Sequence, residues 1–500
     1  MSEKYTEAVQ SRSRRFLFRL GAILIGLLPF VIFELVLLGV GWQPPGSVRD
    51  PYVEFSETQP LFEPDGAGTQ YAIASSRLPL FRPEQFLIEK PASEFRIFCV
   101  GGSTVQGRPY AIETSFTTWL EIRLQAADPS KRWNVINCGG VSYASYRLAP
   151  IIEEIIGYDP DLIVLYTGHN EFLEDRTYDS IKSTAPWVAR THNQLARLRT
   201  YSFLRSLALG VTAGGENKDG AGTTNLNDGM VLPPDVEARL DFRNGLEQYH
   251  RDDQWKRDVI QHFAFNVRRM VKTAKDANVP LILCNPACNL RDASPFKSEN
   301  SNDLPSSDLA RFTESWDSIR AIDDTPRDVQ QEIDRLSVLV EIDSRHAGLQ
   351  YRLGQMIQQA GDFKKAKTHL IRAKEEDVCP LRIIEPMYDV IAEVANELDV
   401  PLVDIKAFFE KRSPDGIPGR ESFLDHVHPT IHGHQLISEL LFAEMVRGRW
   451  VVSPNDNVET EKRFETHLGS LPFMYFQEGK DRLAGLKRWA EGKVTRKKNK

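Results

Sequence analysis

Three short polar segments of this chain each stand just past an apolar run, and that spacing, with a fourth polar segment near the end, limits the folds open to it. Residues 95–100 are apolar apart from Arg96 and lead into Gly101-Gly102-Ser103-Thr104. Residues 133–137 lead into Cys138-Gly139-Gly140-Val141-Ser142, and 161–167 into Gly168-His169-Asn170-Glu171. Two more short apolar runs, 279–285 and 400–405, read as strands, while Ile151–Ile156 and Arg257–Ala277 carry helical spacing between them. Strands alternating with helices predict an α/β fold, a doubly wound parallel sheet with helices on both faces. Such sheets bind ligands outside the carboxyl ends of their strands, where the polar segments fall. The fourth segment is Asp425-His426-Val427-His428-Pro429.

These residue types suit nucleophilic chemistry. A serine hydroxyl attacks a carbonyl only when a base takes its proton and a third group orients that base. Ser103 follows two glycines that permit a sharp turn and precedes a helix containing Phe116 and Trp119. His428 is the candidate base and Asp425 its orienting carboxylate. Asn170 offers a side-chain N–H₂ to an oxyanion.

Together the four segments resemble the blocks of the SGNH hydrolase superfamily, the GDSL esterases and lipases. The resemblance covers about residues 94–175, 255–290 and 381–445. It implies a flavodoxin-like three-layer α/β/α fold, and it places the nucleophile on Ser103, the oxyanion donors on Gly139, Ser142 and Asn170, and the remaining pair on Asp425 and His428. It also implies an ester substrate, glycan or lipid, and an acyl-enzyme route that calls for no metal or organic cofactor. Three positions depart from the pattern: Gly102 stands where an Asp is usual, Ser142 where a second Gly is usual, and Glu171 where an Asp follows the Asn. The chain is therefore similar to a divergent, GGST-type branch, in which membrane-anchored bacterial proteins carry tetratricopeptide elements.

Plainer readings stand beside each assignment. Gly-Gly-Ser-Thr alone is more often a simple strand-to-helix turn, and Asp425 with His428 alone a loop hydrogen bond. His426 and His434 read as solvent-facing or supporting groups, and no Cys or carboxylate partner gives the 426–434 histidines a zinc-binding spacing. His169 either lines the site or holds structure. Arg291, in Asn289-Leu290-Arg291-Asp292, either meets an anionic substrate group or pairs with Asp292 or another carboxylate. Two other activities stay open: O-acyl transfer to a cell-envelope polysaccharide, and a degenerate hydrolase acting as a scaffold.

The N-terminus constrains location. Leu20 to Val40 is apolar except for Glu34, and Lys4, Arg12, Arg14, Arg15 and Arg19 precede it. About 20 apolar residues span a bilayer core, and the positive-inside rule puts residues 1–19 in the cytoplasm. The expectation is a single-pass anchor over 20–42, with the catalytic part outside the cytoplasm. A leader over 43–93 follows, then a hydrolase core over 94–304 with a lid-like insertion at 176–254. The second part of the core spans 381–450, and 451–500 is an extension with a basic tail. Residues 305–380 form a second insertion, where Leu353-Gly354, Ala366, Leu370 and Ala373 sit at tetratricopeptide spacings from Ala347, and Gln330–Ile342 resembles the second helix of a preceding repeat. Too few repeats stand there to bury a core alone, which predicts packing on the hydrolase domain. A protein partner at these helices is a lesser reading. With 62 basic and 69 acidic residues, the chain lacks the basic footprint of nucleic-acid binding. Five cysteines fit no disulfide scaffold, and a Cys284–Cys288 bridge is disfavoured.

Overall fold

The computed structural model describes residues 26, 28–39, 55–174, 176, 200, 230–232, 236, 238–321, 328–451 and 457–493. The chain divides into two compact units: residues 1–59 with 177–232, and residues 60–176 with 233–500.

The larger unit holds the parallel sheet that the apolar runs predict. A three-stranded antiparallel sheet comes first, formed by β1 (Phe62–Pro64), β2 (Gln70–Ile73) and β3 (Gln85–Leu87). The main sheet comprises β4 (Glu94–Gly101), β5 (Arg132–Gly139), β6 (Leu162–Tyr166), β7 (Leu281–Asn285) and β8 (Leu402–Asp404). Its spatial order is β8-β7-β6-β4-β5, every pair parallel. The order reverses at β4, so chain connections leave β4 towards both sides. In an open parallel sheet such a reversal opens a ligand crevice beside the carboxyl end of the strand. Strands β6 and β7 are buried along their whole length, as parallel strands covered on both faces should be.

Helices cover the two faces. Those the site needs are α1 (Ser103–Gln106), α2 (Phe116–Ala127), α3 (Ser145–Ile155), α4 (Asp253–Asp276) and α11 (Ile431–Arg447). Ile97, Cys99, Leu120, Leu124, Val164, Ile282, Ile437 and Leu441 share one core between sheet and helices. The leader is folded against the main sheet over residues 60–93. Its β1–β3 sheet buries Phe62 and Phe86 against Phe98, with ring centroids 6.3 and 5.3 Å away.

The described residues of the 305–380 insertion hold four helices: α5 (Ser306–Ala321), α6 (Val329–Ile342), α7 (Ala347–Gln359) and α8 (Phe363–Glu375). The tightest approach joins α7 and α8, where a Cβ on Gly354 would stand 2.9 Å from Leu370 Cγ. Their core takes in Leu290 and Ile417 from outside the insertion. After them run α9 (Glu385–Glu397) and α10 (Ile405–Arg412). The C-terminal extension contributes α12 (Asn457–Ser470) and α13 (Phe473–Ala490), with Phe464 of α12 edge-on to Trp119 at 4.8 Å. All five cysteines are buried and free, Cys284 and Cys288 included.

In the smaller unit, residues 28–39 are helical, with Leu28, Phe30, Val31, Ile32, Leu35, Val36 and Leu38 exposed. Among the described residues no helix is long and apolar enough to cross a membrane. Both ends of the 20–42 segment lie outside them. Glu34 is not alone, for its Oε2 accepts from Thr200 N and Oγ1, both at 2.7 Å. Residues 55–58 pair in parallel with 230–232. Of the lid-like insertion, residues 177–199, 201–229, 233–235 and 237 lie outside the described residues, as does the basic tail over 494–500.

Candidate active site

The end of β4 builds the serine turn. Gly102 sits in extended backbone, and its carbonyl accepts from Val105 and Gln106 at 3.1 and 3.3 Å, closing the single turn of α1. Glycine is needed here for close approach, not for an unusual φ: a Cβ on Gly102 would lie 2.6 Å from Asn170 Nδ2. Asn137 stitches this turn to the next segment. Its Nδ2 donates to Val105 O at 2.7 Å, and its Oδ1 accepts from Gly139 N at 3.0 Å.

Across the sheet edge, the Asp425–His428 loop supplies the base. His428 Nε2 lies 2.8 Å from Ser103 Oγ, and His428 Nδ1 lies 2.6 Å from Asp425 Oδ2. Asp425 Oδ1 accepts from the backbone of Val427 and His428 at 2.9 and 2.8 Å. Burial alone would raise the Asp425 carboxyl, but His428, His426 and the His428 hydrogen bonds hold it below the usual carboxylate range. A carboxylate that stays ionised fixes the His428 proton on Nδ1 and leaves Nε2 free to accept from the serine. Ser103 is 9% exposed, so the hydroxyl sits at the edge of solvent in a nearly dry setting.

The candidate oxyanion donors divide. Asn170 Nδ2 donates to Tyr143 O at 3.1 Å, which leaves its second N–H beside Gly102. Among the described residues, the Ser103 and Ser142 N–H groups have no hydrogen-bond partner. Ser142 adopts φ +62°, the left-handed region that glycine enters freely and a serine only with strain. Gly139 does not serve as a donor, because its N–H is committed to Asn137. Its role is packing: a Cβ there would lie 2.2 Å from the Gln106 nitrogen. Ser103, Ser142 and Asn170 thus stand on adjoining turns, and Gly139 packs against the serine turn.

Two other assignments change. Arg291 is not free to meet a substrate anion: it pairs with Asp292 at 3.1 Å and with Glu421. His426 and His434 do not face solvent. Both are buried, and burial pulls them down to about 4 and about 3, keeping the rings neutral. His434 Nδ1 accepts from Phe116 N at 3.2 Å. His169 is buried too and is pulled down to about 3, first by burial and then by its histidine and lysine neighbours. Its Nδ1 accepts from Ile383 N at 3.2 Å, and its Nε2 has no partner among the described residues. Among those residues no cluster of His, Cys, Asp and Glu could hold a metal ion.

Residue reasoning missed three supports. Asn289 donates from its backbone to His426 O at 3.0 Å and from Nδ2 to Asp425 O at 3.1 Å, so it straps the catalytic loop. Arg382 in turn donates to Asn289 O at 2.9 Å. Glu171, noted only as a departure, takes Ser145 N and Oγ at 2.7 and 2.9 Å. It thereby ties the 142–145 turn to the Asn170 loop. An Asn two residues before a charged pair, or a Glu beside the Asn, carries no sequence signal of such strapping.

No protein-family model matches the chain, and no curated relative does. Among solved structures the chain is similar to the acetyl xylan esterase AlAXEase, at 13% identity over 70% of this chain and 99% of that one, with a TM-score of 0.31. It is similar to a lipase/acylhydrolase from Enterococcus faecalis at 11% identity, over 71% of this chain and 96% of that one, TM-score 0.31. It is also similar to Axe2, an acetylxylan esterase from Geobacillus stearothermophilus, at 13% identity, over 72% of this chain and 96% of that one, TM-score 0.30.

Proposed function

We propose that this chain is a serine-dependent ester hydrolase of SGNH type that works through an acyl-enzyme. The observation that carries the proposal is the unbroken line Ser103 Oγ to His428 Nε2, 2.8 Å, and His428 Nδ1 to Asp425, 2.6 Å. In this reading Ser103 attacks the ester carbonyl as His428 takes its proton. The oxyanion accepts hydrogen bonds from the Ser103 and Ser142 backbone and from Asn170. His428 then hands its proton to the leaving alcohol, and water repeats the sequence on the acyl-enzyme. An intact relay is poor support for a degenerate scaffold.

The test uses a short-chain aryl acetate and a serine-directed phosphonate. Ser103→Ala removes both turnover and labelling while leaving the melting temperature nearly unchanged, since the change makes no sizeable cavity. Retained turnover in Ser103→Ala would refute the assignment.

We also propose that the hydrolase is displayed outside the cytoplasm on a single-pass anchor over 20–42. Its support is the length of the apolar run and its basic flank. A phosphatase reporter fused after residue 60 should be active in bacterial cells. Activity only in fusions made before residue 15 would overturn that orientation. The helices of 305–380 are proposed to be tetratricopeptide-like on the spacing from Ala347.

A further inference from the structure

Three half-buried arginines, Arg82, Arg108 and Arg482, converge beside the serine turn with little carboxylate to balance them. Arg108 donates its backbone N–H to Ser103 O at 3.1 Å. Arg82 follows Phe81, whose ring meets Tyr143 edge-on at 4.9 Å. Just before it, Leu80 O accepts from Val141 N at 2.9 Å and from Gln106 Nε2 at 2.8 Å. The 80–82 strap therefore bridges the nucleophile turn and the oxyanion loop. Arg482 arrives from α13, one turn past Gly479. That glycine lies so close to Tyr110 that a Cβ on it would be 2.1 Å from the ring. Tyr475 of the same helix accepts from Ala111 N at 3.1 Å.

The charges in this corner are unbalanced. Arg96, Arg147 and Arg251 each hold a carboxylate within 2.8 Å. Arg482 has only Glu478 at 3.8 Å, itself 61% exposed, with Glu113 a weaker neighbour. Arg82 and Arg108 have no ion pair among the described residues, and the Nε atoms of Arg108 and Arg482 are buried without a partner. Burial, then Arg82 and Arg482, pulls Arg108 down to about 10. Desolvated like charges destabilise a fold unless something compensates them. Guanidinium forks are shaped to receive a carboxylate or phosphate in two-point fashion.

We propose that Arg82, Arg108 and Arg482 form a receiving site for an anionic group, carboxylate or phosphate, carried by the ester substrate. This rests on the ester-hydrolase reading of the neighbouring serine. The 80–82 strap sets the site beside the oxyanion loop, so the anion would anchor one end of a substrate whose ester lies over Ser103.

Two measurements on the full chain test it. In the first, inorganic phosphate is compared with chloride at matched ionic strength by thermal unfolding. Phosphate should raise the melting temperature of the wild type and of Ser103→Ala alike. Arg482→Gln should melt higher than wild type in chloride, because repulsion is relieved, and should lose most of the phosphate gain. In the second, kcat/KM for 4-acetoxybenzoate is divided by that for its neutral methyl ester. The wild-type ratio should be about tenfold, the worth of one charge-assisted hydrogen bond, and should fall towards one in Arg108→Gln. A wild-type ratio near one, or a phosphate gain that survives Arg482→Gln, would overturn the proposal. No turnover of either ester would sink the hydrolase reading instead, while the phosphate measurement still decides the anion site.

Discussion

Gly102→Ala offers a severe test of the oxyanion arrangement, because one added methyl group acts on one identified atom. The new Cβ would sit 2.6 Å from Asn170 Nδ2, where ordinary contact begins at 3.4 Å, a deficit of 0.8 Å (3.4 less 2.6). The Gly102 backbone, at φ −85° and ψ −156°, is extended and open to alanine, so the turn itself feels no strain. The amide must retreat instead, stretching its 3.1 Å bond to Tyr143 O and drawing its second N–H away from the oxyanion position. Loss of one such donor costs about 10²–10³ in kcat, some 3–4 kcal/mol of transition-state stabilisation. Gly102→Ala should approach about 10², mostly in kcat, because the donor matters only once charge develops. The stability cost should stay within the roughly 1–3 kcal/mol typical of overpacking. The decisive assay is a double-mutant cycle. If the methyl acts through Asn170, then Gly102→Ala on an Asn170→Ala background should cost almost nothing further. Additive losses in the double variant would refute the reasoning.

Three further outcomes follow from the site. Ser142→Gly keeps the backbone donor and relieves a φ of +62°; it should leave kcat within about twofold and stability within about 1 kcal/mol, and a hundredfold loss would show that the Ser142 side chain matters. His434 is held neutral in the fold, down to about 3 from an ordinary 6.5, so only the unfolded chain gains its proton as pH falls from 6.5. Its contribution to stability is therefore full above that pH and shrinks below it, by up to about 1.4 kcal/mol per pH unit; denaturant titrations of His434→Gln should show a slope shallower by that amount, and an unchanged slope would contradict the burial argument. Asn289→Ala removes the 3.1 Å bond to Asp425 O and should lower kcat about tenfold through a loosened His428 loop, read as a drop in turnover with little change in KM.

The five core strands and the residues at their ends were legible because parallel strands buried on both faces must be continuous apolar runs. Ser103, Asn170, Asp425 and His428 each sit at such an end or on a short loop with few polar alternatives. The β1–β3 sheet was not legible, since its strands are 3 or 4 residues long and too short to show a period. Gly139 matches the family's oxyanion block, but a sequence block identifies a loop and not which N–H in it is already spent on Asn137. Arg291 stands beside its own neutraliser, Asp292, and only the fold adds Glu421. The Arg82, Arg108 and Arg482 cluster had no signal at all, for its members come from separate parts of the chain: the 80–82 strap brings Arg82 to the turn that holds Arg108, and α13 adds Arg482.

The short segment after α8 has a consequence for anyone who would exchange the helical insertion for another. Ile383 donates to His169, next to Asn170, and Arg382 donates to Asn289, which holds the Asp425–His428 loop. Both halves of the catalytic edge therefore rest on the same few residues, and these belong to the seam, not to the helices. A transplant that ends before Asp377 leaves the seam with its host. One that runs on to Ile384 carries away the fastening of oxyanion loop and base together, and the recipient would keep its serine, histidine and aspartate yet lose their alignment.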